Sequence, residues 1–344
     1  MIETDALIVG AGPVGLFQAF QLGLLDISCH IVDALSHAGG QCVELYGDKP
    51  IYDIPGTPAT TGRGLVDALL VQVAPFAPTM HFGEQVATLQ RQDDGRLRLS
   101  TDRGTTFVAK AVFIAGGVGA FVPRRVAIEG IARFEGSRLL YHPDIHPDAI
   151  ERFAGQAVVV QGGDESALQT ALALTALERR TGRGGKVALM HRRDGFQADP
   201  ATVAALREEI ESGDMAFVVG QPTALDETTL QITRPDQSVL SLPVDALVAC
   251  LGISPRLGPI ADWGLELERK QVPVDTQKFE TREPGVFAVG DINTYPGKKK
   301  LIVCGFHEAT LAAWGAASIV FPGKAIPLQY TTTSTHLHAL LKVG

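Results

Sequence analysis

The sequence predicts an α/β chain built from two dinucleotide-binding units, one inserted in the other. Three observations carry this. Near the start, the apolar strand Ala6-Leu7-Ile8-Val9 runs into Gly10-Ala11-Gly12-Pro13-Val14-Gly15, a GxGxxG turn that opens a helix. A second strand–glycine–helix unit begins at Ala157-Val158-Val159-Val160, and a late apolar strand over residues 286–289 again ends in glycine. Short apolar runs alternating with helical stretches are the α/β pattern, and 344 residues give room for two domains of roughly 150 each.

The elements follow in order. Residues 16–25 read as a helix and His30-Ile31-Val32-Asp33 as a second parallel strand. Residues 97–113 alternate as a meander through Leu97, Leu99, Phe107, Val108, Val112 and Phe113. The second unit continues with a helix over 168–179 and a strand over 186–190, and 244–251 is a further apolar strand. The joins are expected near 118 and 284. That gives a discontinuous domain of residues 1–118 and 285–344 around an inserted domain of residues 119–284.

Composition narrows the function classes. Thirty Lys and Arg against 38 Asp and Glu leave a net charge of −8, so nucleic acid is not an expected partner. Apolar residues are 45% and charged ones 20%, enough for a real core. The four cysteines, Cys29, Cys42, Cys250 and Cys304, form neither CxxC nor a zinc-type spacing, so no metal is expected and they read as thiols of a reducing compartment. No run approaches the ~20 apolar residues of a membrane helix. The start, Met1-Ile2-Glu3-Thr4-Asp5, is acidic where a signal peptide carries positive charge. The expected location is the cytoplasm.

In the first motif, Gly10 makes the tight turn, Gly12 admits a pyrophosphate to the backbone, and Gly15 allows close helix–strand packing. Asp33, 18 residues after Gly15, ends the next strand, where a carboxylate accepts ribose hydroxyls. Together with the late Gly285-Val286-Phe287-Ala288-Val289-Gly290-Asp291, this resembles the flavoproteins with two dinucleotide-binding domains and FAD in the first. Further segments narrow it: Gly12-Pro13-Val14-Gly15-Leu16-Phe17, Gly39-Gly40-Gln41, Leu45-Tyr46, Ile51-Tyr52-Asp53-Ile54-Pro55-Gly56, Leu257-Gly258-Pro259-Ile260, Trp263-Gly264-Leu265 and Tyr295-Pro296-Gly297-Lys298. These resemble the thioredoxin-reductase-like ferredoxin (flavodoxin)–NADP reductases over nearly the whole chain. The resemblance implies two Rossmann-like domains of the FAD/NAD(P)-binding three-layer ββα type, with the cofactors FAD and NADPH. It assigns Gly10, Gly12, Pro13, Gly15, Asp33, Gln41, Tyr46, Val86, Phe121, Asp291 and Thr332 to FAD. It assigns Gly162, Gly163, Ser166, Arg192 and Arg193 to NADPH.

Thioredoxin reductases carry a CxxC in the nicotinamide domain; here Tyr141-His142-Pro143-Asp144 stands in its place. Without a thiol pair there is no relay to a disulfide, and reduced flavin is expected to pass single electrons directly to an acceptor. His191-Arg192-Arg193 follows a strand, where two guanidiniums can fork onto a ribose 2′-phosphate. The family pattern continues to Phe and a third Arg, but this chain has Phe196 and then Gln197. The family's three glycines before Asp-Ser-Ala are here Gly162-Gly163-Asp164-Glu165-Ser166-Ala167. Either Asp164 replaces a glycine beside the pyrophosphate, at a cost of about 1 to 4 kcal/mol for charges ~4 Å apart, or one residue is inserted and the loop bulges.

Around the flavin ring, the resemblance stacks Tyr46 on one face and a residue of the C-terminal tail on the other. Tyr330 takes that slot, with His336 as its rival, before and after a Thr-rich run that can act as a gate. A helix over 305–314 is expected to aim its N-terminus at the flavin's pyrimidine end and favour negative charge there. No side chain is then needed as acid or base, and His307 is expected to be structural. Lys298-Lys299-Lys300 is a local basic patch that can steer an acidic ferredoxin.

The sequence therefore reads as a homodimeric, cytoplasmic ferredoxin (or flavodoxin)–NADP reductase. It is expected to take hydride from NADPH onto FAD and release single electrons. Two alternatives stand beside it: an NAD(P)H diaphorase for quinone or free flavin, and an FAD-binding redox-sensing module whose NADPH site has lapsed.

Overall fold

A computed structural model describes residues 1–341 apart from 142, 144 and 329. The side chain of Phe121, expected among the FAD contacts, lies outside the described residues, as do His142 and Asp144. The chain divides into two compact units: Met1–Ala120 with Pro255–Gly344, and Phe121–Ser254.

In the first unit the strand Ile2–Val9 lies between Cys29–Asp33 and Thr106–Ile114, parallel to both, with Ala6 opposite Cys29 and Ala111. Val286–Ala288 adds a further parallel strand beside Thr106–Ile114, with Val286 opposite Val112. Leu97–Thr101 and Val86–Arg91 complete the meander antiparallel. A parallel strand is covered on both faces and so reads as a continuous apolar run, and successive side chains point to opposite faces. Ala6, Ile8 and Phe113 accordingly face a core beneath the helices, while Leu7, Val112 and Ile114 face a second one with Leu97, Leu99 and Trp263. The helix Pro13–Gly23 packs beside Gly62–Val73 and Ile302–Val320. The last of these presents Ala309, Ala312, Ala313, Ala316 and Ala317, small residues that let helices approach closely.

The second unit has a five-stranded parallel sheet in the order Leu139–Tyr141, Ala246–Ala249, Ala157–Gln161, Lys186–His191, Met215–Val219. Glu165–Thr181 and Pro200–Ser212 cover one face. An antiparallel sheet of Gln221–Leu225, Thr229–Thr233 and Val239–Pro243 covers the other, through Leu225, Leu230 and Ile232.

The expected join near 284 is corrected: the chain returns to the first unit at Pro255. Residues 258–284 form no long element, but Ile260, Trp263 and Val272 fill the first unit's core beside Leu97 and Val286, and Phe279 fills the helix-side core with Phe287. A few widely spaced anchors carry no periodicity, so the sequence pattern resumed only at the next apolar strand. Helix bounds also move outward. Pro13 starts the first helix at N1, where its missing N–H costs nothing, and the expected 305–314 helix runs over Ile302–Val320.

Candidate functional site

In the first unit three segments converge on the Gly10–Gly15 turn. A Cβ added to Gly290 would lie 3.3 Å from Val14 Cγ2, and one added to Gly305 would lie 2.4 Å from it. The Gly10–Gly15 turn thus meets the Gly290-Asp291 corner and the start of the Ile302–Val320 helix. Gly39 N–H donates to Ala11 O at 2.9 Å, which brings Gly39-Gly40-Gln41 against the same turn. The three motif glycines differ in what surrounds them. At Gly10, with φ +112°, an added Cβ would lie 2.5 Å from Ala115 O, and at Gly15 it would lie 1.9 Å from Gly10 O. At Gly12 it would meet nothing within 4 Å. Gly12 is also the N-cap of Pro13–Gly23, without a side-chain cap. Open space in front of uncapped helical N–H groups is what a pyrophosphate requires.

Asp33 is held by two backbone donors, Ala11 N–H at 2.6 Å on Oδ2 and Leu35 N–H at 2.8 Å on Oδ1. Burial nevertheless holds its carboxyl above the ordinary range, the two donors pulling the other way. Gln41 Nε2 donates to Asp291 Oδ2 at 3.2 Å, joining two motifs 250 residues apart. Tyr46 is half-buried with its hydroxyl 3.3 Å from Cys42 Sγ, and burial followed by the Cys42 hydrogen bond raises its phenol. Val86 is buried with Leu7 and Val32. The second helix N-terminus, at Leu301, also has no side-chain cap. These residues fit FAD: space at Gly12, two sets of free N–H groups, and carboxylates at Asp33 and Asp291.

Sequence reasoning missed the group that holds this corner together. Glu308 is fully buried and accepts from Gly290 N–H at 2.7 Å, Asn293 Nδ2 at 2.8 Å, Tyr295 O–H at 2.8 Å and Lys298 Nζ at 2.5 Å. The signal lay in a Glu on a helix face otherwise made of alanine. Lys298 is thereby removed from the expected basic patch, its side chain only 7% exposed; Lys299 and Lys300 are exposed. His307 sets its ring edge-on to Phe279.

The tail residues are placed elsewhere. His336 Nε2 pairs with Asp26 Oδ1 at 3.1 Å, at the turn before the Cys29–Asp33 strand and so at the opposite end of that strand from Asp33. Tyr330 is 68% exposed and Thr332 lies in a short exposed turn. Among the described residues neither makes a hydrogen bond or ring contact with Tyr46 or the Gly10–Gly15 turn.

In the second unit Gly162, Gly163 and Asp164 lead straight into Glu165–Thr181 with Asp164 as its N-cap, Oδ1 accepting from Ala167 N–H at 3.0 Å. A Cβ at Gly162 would lie 2.2 Å from Cys250 O, and one at Gly163 would lie 2.5 Å from the His191 ring. Gln197 N–H donates to Gly163 O at 2.8 Å, so its backbone pins the glycine turn while its side chain is exposed. Glu165 Oε2 accepts from Asp199 N–H at 2.7 Å and Oε1 from Thr202 Oγ1 at 2.8 Å. Ser166 stands in the first turn of that helix. Arg192 and Arg193 are exposed just past the Lys186–His191 strand. Burial, then their charges, lowers the His191 imidazole. All four cysteines are unpaired, and burial pushes Cys29 up to about 12 and Cys250 to about 11. Among the described residues there is no metal-ligand cluster, and no helix is long and apolar enough to cross a membrane.

Residues 4–312 match the family model described as pyridine nucleotide-disulphide oxidoreductase. The chain is 54% identical to the ferredoxin–NADP reductase 2 of Cupriavidus metallidurans, over 99% of this chain and 92% of the relative. It is 53% identical to the ferredoxin–NADP reductase of Methylibium petroleiphilum, over 99% and 93%. The thioredoxin reductase of T. acidophilum is 21% identical with a TM-score of 0.60, covering 92% of this chain and 99% of that one. The bacillithiol disulfide reductase of Staphylococcus aureus is 15% identical with a TM-score of 0.64, covering 92% and 98%. These two structures share the fold, two Rossmann-like domains. The chain belongs to the pyridine nucleotide-disulphide oxidoreductase family and, within it, to the ferredoxin–NADP reductases.

Proposed function

We infer that this chain is an FAD-dependent ferredoxin–NADP oxidoreductase. The observation that carries the site is the convergence of the Gly10–Gly15 turn, Gln41, Asp291 and the Leu301 helix start in one unit. Gly10, Gly12, Pro13 and Gly15 would hold the FAD pyrophosphate, Asp33 the ribose, and Gln41 with Asp291 the ribitol region. Tyr46 would lie against the ring, with Val86, Phe121 and Thr332 as further contacts. FAD, when bound, supplies the step between a hydride donor and a one-electron acceptor. The chain's part is to orient and stabilise. Uncapped N–H groups at Leu301 favour negative charge beside them without a proton being moved. In the second unit Gly162, Gly163 and Ser166 would hold the NADP(H) pyrophosphate and Arg192 with Arg193 the 2′-phosphate. With all four thiols unpaired, electrons leave without a disulfide relay.

The same reading makes the protein a cytoplasmic homodimer whose electron acceptor is ferredoxin or flavodoxin. Its support is the family pattern together with the free cysteines. The exposed Tyr330 is the proposed cover for the flavin's second face, with His336 held at Asp26 instead.

Anaerobic titration of the yellow protein tests it. NADPH is expected to bleach the flavin band promptly and NADH to lag, with ferredoxin reoxidising the bleached protein. Bleaching by dithionite but not NADPH would leave a flavin-binding module with a lapsed site. Reoxidation by a quinone in preference to ferredoxin would make it a diaphorase.

A further inference from the structure

The second unit contains a cavity of about 460 Å³ of which the site as described uses only Arg192. Arg192, Gln221, Thr223, Thr233, Arg234 and Gln237 line it. Arg193, next in sequence to Arg192, does not. Two arginines thus line one space, and among the described residues neither forms an ion pair. The lining carries no carboxylate, so like charges on its wall repel each other, and an anion placed between them removes that repulsion. The other groups on the wall are hydroxyls and amides, which hydrogen-bond to an anion or a sugar without adding negative charge. The volume lies in the range of small-ligand sites.

Local structure brings the two arginines' segments to the same space. Gly220 N–H donates to His191 O at 2.9 Å, tying the end of Met215–Val219 to the residue before Arg192. A Cβ at Gly220 would lie 2.5 Å from Ile232 Cγ2 and 2.8 Å from Thr233 O, so the Thr229–Thr233 strand presses directly on that glycine. Arg234 is the next residue. Its turn is closed by Arg234 N–H on Ser238 O and Gln237 N–H on Arg234 O, each at 2.9 Å, with Gln237 in the left-handed region at φ +68°. Asp236, the carboxylate nearest in sequence, feels the charge of Arg234 but is hydrogen-bonded by Ser238 N–H at 2.9 Å and Ser238 Oγ at 2.6 Å.

We propose that Arg234 is a specificity residue for NADP(H), a second arm that closes on the 2′-phosphate from the hairpin opposite Arg192. It takes up the work that Gln197 leaves undone, since the Gln197 backbone pins the glycine turn and its side chain is uncharged. The proposal rests on the reading of this unit as the NADP(H)-binding one. It differs in naming a residue more than forty positions beyond the Arg192-Arg193 pair and in giving Arg193 the lesser part.

Calorimetric titration of the FAD-loaded full chain with 2′,5′-ADP and with 5′-AMP tests this, since the two probes differ only in the 2′-phosphate. Wild type is expected to favour 2′,5′-ADP. Arg234→Gln is expected to weaken 2′,5′-ADP about tenfold, one charge-assisted contact, and leave 5′-AMP unchanged, with Arg234→Lys recovering part of the loss. Arg234 lies on an exposed turn, so the variant's melting temperature should stay at the wild-type value and exclude misfolding. An unchanged 2′,5′-ADP affinity in Arg234→Gln, with Arg192→Gln still weakened, overturns the proposal and leaves the NADP(H) reading standing. An equal loss for both probes also overturns it, because Arg234 would then act on the adenosine. If wild type does not separate the probes, the NADP(H) reading itself fails and the proposal with it.

Discussion

Glu308 receives four donors and shows no exposed surface, and Lys298, its charged partner, is nearly as deep. Burying such a pair gains little over an apolar pair of the same shape, but removing one member strands the other charge. Glu308→Ala is therefore expected to cost about 3–5 kcal/mol, because Lys298 would lose its counter-charge, Gly290 N–H and Tyr295 O–H their acceptor, and Lys298 and Asn293 would keep only the backbone oxygens of Gly290 and Ala288. Adding Lys298→Met should return part of that loss. Urea denaturation of the two variants checks it, and additive losses would show that the pair is not coupled. Loss of FAD should accompany the single variant, since Gly290 precedes Asp291. None of this was legible in Lys298-Lys299-Lys300, where three identical residues read as one patch. Which of them turns inward depends on a carboxylate ten residues away on a helix. By contrast, Gly10, Gly12 and Gly15 were legible individually, because backbone space and turn geometry are local properties of glycine.

Three helices begin at candidate cofactor sites, and they do not begin alike. Pro13–Gly23 and Ile302–Val320 start without a side-chain cap and leave their N–H groups free. Glu165–Thr181 starts with Asp164 on Ala167 N–H, so one of its first N–H groups already has a carboxylate acceptor. In this chain Asp164 follows Gly162-Gly163 directly and is itself the residue that caps the helix. Asp164→Asn keeps the cap and removes the charge. Stability should stay within about 0.5 kcal/mol, because Asn and Asp cap equally well. NADPH should bind about tenfold tighter, the low end of what a unit charge ~4 Å from a phosphate costs. Fluorescence titration of the flavin measures the affinity and a thermal melt measures the cap. Unchanged affinity would mean that the carboxylate turns away when nucleotide arrives. The glycine departure was visible in the sequence, but its consequence was not, since capping is decided by the side-chain rotamer. Arg234 was hidden for a related reason: only the pressure of Ile232 and Thr233 on Gly220 brings its turn beside Arg192.

Each compact unit has its own cores. Two lie wholly within 2–115 and 257–326, and two lie wholly within 126–251. Fold class was legible because parallel strands advertise themselves as apolar runs ending in glycine, and both glycine units do so. The second join was not, because Ile260, Trp263, Val272 and Phe279 return to the first unit as single anchors on a chain without periodic structure. Their placement has a thermodynamic consequence. If residues 255–284 belonged with the insert, cutting at 254 would remove apolar side chains from its core and leave it unable to fold. Since they belong to the other unit, residues 121–254 retain all of Val158, Val160, Leu189 and Leu206 on one face and Val159, Met190, Leu230 and Ile232 on the other. That is a complete sheet covered on both sides, of ordinary domain size. Expressed alone, residues 121–254 should fold, unfold in one cooperative urea transition, and bind 2′,5′-ADP as the FAD-loaded full chain does. A version running on to 284 should be no more stable and less soluble, because it carries Ile260, Trp263 and Phe279 with no core to receive them. If instead only the longer version folds, those side chains contribute to the insert, and the join belongs at 284 after all.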